Sequence, residues 1–91
     1  MSYKIDYSPS ADKTIKKWKK SNKNLYKKFE KLLSELAEHP RIGTGHPEPL
    51  AGGEGNIYFR HITAHDRIIY RIYDDIVVVL IITIEGHYDD K

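Results

Sequence analysis

The stretch IYFRHITAHDRIIYRIYDDIVVVLIITI, residues 57–84, decides the fold. Residues 57–62, 67–73 and 76–84 are rich in β-branched and aromatic side chains, and TAHD and DD separate them as turns. Connections this short make neighbouring strands antiparallel. In the middle run, Arg67, Ile69, Arg71 and Tyr73 point one way and Ile68, Tyr70 and Ile72 the other. The uncharged set takes the core, so both arginines fall on the opposite face. The last run is apolar in both phases, the pattern of a central strand covered on both sides.

Working outward, YKIDY at residues 3–7 alternates Tyr3, Ile5 and Tyr7 with polar residues, as a half-buried strand does. Ser8 then offers a helix cap and Pro9 a first helical residue whose missing N–H is not needed. Ala11, Ile15 and Trp18 share one face of the resulting helix, Pro9 to Lys20. Asn22 or Asn24 caps a second helix, in which Leu25, Phe29, Leu32, Leu33 and Leu36 form a regular apolar stripe that HPRIG ends at Pro40. The expected architecture is α+β: an N-terminal strand and a helical hairpin packed on a mainly antiparallel sheet of about four strands, in one domain over residues 1–91.

Composition narrows the chemistry. A chain of 91 residues has little interior to spare, so a site on an open face is expected. There is no cysteine, hence no disulfide framework and no thiolate nucleophile. The longest apolar run, Ile76 to Ile82, is far short of the ~20 residues of a membrane helix, and the start lacks a signal-peptide pattern. A cytoplasmic protein without a membrane partner is expected. The net charge of +2 hides an asymmetry: residues 1–45 carry eleven Lys or Arg against five Asp or Glu, and residues 46–91 carry four against eight. A lysine-rich helical face either stays solvated or meets a polyanion.

Ionisable residues gather in the least regular segment, GTGHPEPLAGGEGNIYFRHIT at residues 43–63. Glu48 stands between two prolines, a stiff carrier for a carboxylate. His87 and Tyr88 follow the last strand. No histidines combine HxxxH or HxH spacing with both a nearby carboxylate and an orienting partner, so no metal and no cofactor are expected. Phosphate-cradling loops and serine elbows are absent from the sequence.

GTGHPEPLAGG, followed by IYFRHITAHDRIIYRIYDD and a closing GHY, resembles the YoeB/Txe branch of the RelE toxin superfamily. Its members read roughly G-x-G-x-P-E-x-L, then S-R-R-I, then H-R-[LIV]-[VI]-Y, and end in His-Tyr. The resemblance implies a RelE-like fold and the toxin of a bacterial type II toxin–antitoxin pair. It further implies a ribosome-dependent endoribonuclease that cuts mRNA in the A site. The implied partners are a YefM-like antitoxin and the ribosome, with a second copy of the chain as a further candidate.

Carried over by position, Glu48 is the general base, Arg67 the cation that stabilises the transition state, His87 the general acid and Tyr88 the stacking aromatic. His46, Arg60 and His61 fall at RNA-contacting positions, and Lys16, Lys20 and Lys27 on the helices would meet ribosomal RNA. Metal-free cleavage needs such a set: a base for the 2′-OH, an acid for the leaving 5′-oxygen and a cation for the phosphoryl charge. Three differences stand out: Ala51 replaces an expected lysine, His61 the second arginine of S-R-R-I, and His46 the basic residue before P-E-P; the chain also continues past His-Tyr with Asp89, Asp90 and Lys91. The alternative is a weakened or non-toxic module of the same fold that binds antitoxin or RNA.

Overall fold

The computed structural model describes residues 2–52 and 55–86. Strand β1 (Lys4–Tyr7) leads through Ser8 into helices α1 (Pro9–Ser21) and α2 (Lys23–Glu38). Strands β2 (Glu48–Pro49), β3 (Ile57–His61), β4 (Arg67–Tyr73) and β5 (Val78–Glu85) follow. They form a five-stranded mixed sheet in the order β1-β5-β4-β3-β2, antiparallel except where β1 pairs with β5. The sheet thus has one strand more than expected: β2 is two residues long and carries a proline, too short and too irregular to show as a period-two pattern.

The helices begin and end where capping chemistry dictates. The Ser8 hydroxyl accepts from Ala11 N at 3.1 Å. Asn22 closes α1, its N–H donating to Trp18 O at 2.8 Å, and opens α2 by accepting from Leu25 N at 3.2 Å. One residue serving both helices leaves no linker, so they fold back as a hairpin. Trp18 meets Phe29 edge-on at 5.9 Å between them.

The hairpin covers one face of the sheet. Ala11, Trp18, Phe29, Leu32 and Leu36 bury against Ile68, Tyr70, Ile72, Val79, Ile81 and Ile84. The other face carries no helix among the described residues, which corrects the reading of residues 76–84 as a strand covered on both sides.

Two local features explain that apolar run. Ile76 and Val77 belong to the turn before β5, with Val77 at φ 56. A β-branched residue in that region is strained by about 1–2 kcal/mol, and the Val77 carbonyl accepts from Lys4 N at 2.9 Å, which ties the turn to β1. Farther along, Ile69 pairs with Thr83 but Tyr70 pairs with Ile81, so Ile82 is an extra residue in β5. Val79, Ile81 and Ile84 are therefore the buried set, and alternation slips by one between Ile81 and Ile84. Ser8 holds this bulge: its N–H donates to Ile81 O at 3.0 Å and its hydroxyl to Ile82 O.

Ser8→Ala removes a helix cap and a bulge tie together. It is expected to destabilise the protein by about 1–2 kcal/mol, the upper range for a cap, as read from the urea midpoint. Ser8→Thr retains the hydroxyl and should recover most of the loss.

Candidate functional site

Register pairing settles which side chains share the helix-free face. Glu48 pairs with Phe59, and Phe59 with Ile69. His61 pairs with Arg67, and Arg67 with Glu85. Residues directly opposite in a ladder point the same way. Glu48, Phe59, His61, Arg67 and Glu85 thus lie on one surface, away from the hairpin. Glu48 and Arg67 are two strands and two residues apart, about 12 Å between Cα atoms from ordinary strand spacings.

The Arg67 side chain reaches part of the way across. Its guanidinium lies 4.8 Å from the Phe59 ring centroid, over the register partner of Glu48. Its Nε donates to Glu85 Oε1 at 2.9 Å, and its Nη2 lies 2.9 Å from the same oxygen in an ion pair. An open depression beside it is lined by His61, Ala64, His65, Arg67, Ile84, Glu85 and Gly86. The base and the cation expected from the sequence therefore share a face. The expected acid and stacking aromatic, His87 and Tyr88, lie outside the described residues. Among the described residues no group of His, Asp or Glu is disposed to hold a metal.

Arg60 corrects the reading that put it against RNA. Its phase in β3 is that of Tyr58, and its register partner is the core residue Ile68, so it points under the hairpin and is 0% exposed. Nη2 donates to the carbonyls of His39 and Ile42, both at 2.8 Å, and Nη1 lies 3.5 Å from Glu35 Oε1. Glu35 in turn accepts from Thr44 N at 3.0 Å and from the Thr44 hydroxyl at 3.2 Å. Tyr70 donates its hydroxyl to Pro40 O at 2.6 Å, and burial pushes that phenol up from its ordinary pKa. Side chains of β3 and β4 thus satisfy the carbonyls left over where α2 ends.

This buried cluster fixes the segment that carries Glu48. A Cβ at Gly45 would lie 2.4 Å from His61 O, and Gly45 O accepts from His61 N at 2.8 Å. Only glycine allows that approach, at φ 88. His46 follows at φ 51 with its side chain exposed. Leu50 N donates to Ile57 O at 2.9 Å, closing the β2–β3 connection. Glu35 and Gly45 were missed in the sequence; the signal for Gly45 was the glycine spacing before Pro47, while Glu35 looked like one more polar residue on a helix.

The lysines fall elsewhere. Lys16, Lys20 and Lys27 are exposed on the hairpin, across the sheet from Arg67, and Lys16 pairs with Asp12 at 3.0 Å. The expected RNA contacts thus form two separate surfaces.

The model of YoeB-like toxins of bacterial type II toxin–antitoxin systems matches residues 7–88. The chain belongs to the YoeB-like toxin family. It is similar to the toxin YoeB of Streptomyces coelicolor, 32% identical over 63 residues, covering 69% of this chain and 75% of that one. The YoeB dimer from Staphylococcus aureus superposes with a TM-score of 0.83 at 27% identity, over 97% of this chain and 100% of that one. A YoeB–YefM complex from the same organism gives 0.80 at 28% identity, with the same coverage. The expectations of a YoeB/RelE-type toxin and an α+β fold are therefore met.

Arg60→Ala is expected to cost about 3 kcal/mol, toward the low end for breaking a buried ion pair because Glu35 is partly exposed. Arg60→Lys should recover little, since one ammonium cannot bridge the same carbonyls and carboxylate. Urea denaturation of the three proteins measures this.

Proposed function

We propose that this YoeB-like toxin is a ribosome-dependent endoribonuclease that cuts mRNA in the A site and is restrained by a YefM-like antitoxin in the cytoplasm. The observation that carries this reading is the shared open face of Glu48 and Arg67, with Arg67 prepositioned over Phe59. Glu48 takes the proton from a 2′-OH, the freed oxygen attacks the adjacent phosphorus, and the 5′-oxygen leaves with a proton from His87. Arg67 offsets the charge that builds on the phosphoryl oxygens. Tyr88 stacks on a base, which contributes roughly 1–3 kcal/mol. His46 and His61 flank the path of the RNA.

Lysines on the surface opposite the cleft suit a ligand large enough to touch both sides. Lys16, Lys20 and Lys27 then contact ribosomal RNA and supply salt-dependent affinity without sequence information. YefM-like restraint and self-association enter by likeness to the S. aureus complex and dimer.

A second reading, antitoxin or RNA binding without efficient cleavage, is favoured by Ala51 and by the carboxylate already paired with Arg67. Induced expression separates the two. Cleavage predicts growth arrest that Glu48→Ala and His87→Ala abolish, with A-site cutting on purified ribosomes lowered about 10²–10⁴-fold for each. Equal arrest by all three proteins contradicts the assigned roles, and no arrest with intact ribosome binding supports the second reading.

A further inference from the structure

The carboxylate that Arg67 touches was not among the residues the sequence singled out. Val79 and Ile81 face the core, so unbroken alternation would send Thr83 and Glu85 inward with them. The extra residue Ile82 resets the phase, buries Ile84 instead and delivers Glu85 to the face of Arg67. Re-aiming one side chain is a recurrent use of a bulge beside a site.

Glu85 takes the Nε–Nη2 edge of Arg67, one of the edges by which a guanidinium grips two phosphate oxygens. Across β2 to β5 the open face carries Arg67 and Arg71 against Glu48 and Glu85, so its formal charge balances. The pair is partly exposed, at 36% and 48%, and exposed pairs are weak enough for a phosphate to displace.

We propose that Glu85 tunes the site by competing with the RNA phosphate for Arg67. The inference rests on the reading of Arg67 as the phosphate-binding cation. Glu85 then holds the guanidinium in place when the site is empty and opposes substrate when it fills. Glu85→Gln keeps the shape and removes the charge.

The probe is a 2′-O-methylated RNA hexanucleotide, which binds but offers no 2′-OH for attack. It is titrated at low salt while the Arg67 Nε–H signal is followed by NMR. Glu85→Gln is expected to tighten binding about 3–10-fold, the scale of one carboxylate removed near a surface anion. The gain should shrink at high salt and vanish in an Arg67→Ala background, where oligonucleotide signals report binding. Glu85→Ala should behave likewise, which guards against a residual hydrogen bond from glutamine.

Unchanged or weaker binding, or no response at Arg67 in either protein, overturns the proposal. So does an equal gain without Arg67, which would make the effect general charge repulsion. Cleavage is not needed for this readout. A Gln variant that binds tighter in a protein that never cuts defeats the endoribonuclease reading alone, and an active enzyme indifferent to residue 85 defeats this one alone.

Discussion

The Arg60 guanidinium brings a full positive charge into the interior, where Nη2 is hydrogen-bonded and Nη1 faces Glu35, while Nε and Nη1 make no hydrogen bond. The carbonyls of His39 and Ile42 and the Glu35 carboxylate converge on it from the end of α2 and the segment that follows. An uncompensated charge there would cost several kcal/mol, so these groups are held to one arrangement. That arrangement sets where the chain leaves the helix, brings Gly45 against β3 and lays Glu48 beside Phe59. Arg60 therefore works from inside the fold, by helping to place a carboxylate that stands on the opposite face of the sheet.

A second constraint works from the other end of the domain. Ser8 caps α1 and grips the bulge at Ile82, so the start of the first helix and the phase of the last strand are fixed by one side chain. The bulge decides what stands beside Arg67. Without it, Glu85 would point into the hydrophobic core; with it, Arg67 is held between a ring on β3 and a carboxylate on β5. Burial on the helix side thus determines, through one residue of register, the electrostatics of the open side.

Much of this was legible in the sequence, for reasons of periodicity. Ile68, Tyr70 and Ile72 alternate cleanly with Arg67 and Arg71, and the stripe from Leu25 to Leu36 has no competing phase, so the sheet's open face and the hairpin followed. Residues 76–84 hid the bulge because an apolar residue stands in either phase, and the same ambiguity in IYFRHI concealed that Arg60 points inward. Glu48 and Arg67 came from motif resemblance, whereas Glu85 acquires its place only through a register shift. The partners of Arg60 are backbone carbonyls, which no residue type announces.

The resulting molecule has two unlike surfaces: a charge-balanced sheet face with a preset arginine, and a helical face rich in lysine. A short RNA would engage only one of them, whereas a ribosome can meet both. The structure of the Glu48→Gln protein on a ribosome with mRNA in its A site tests this most directly. The account predicts the open sheet face against the mRNA, Arg67 beside a phosphate and the α1 and α2 lysines against ribosomal RNA. Helices turned toward the mRNA, with Arg67 facing solvent, would contradict it.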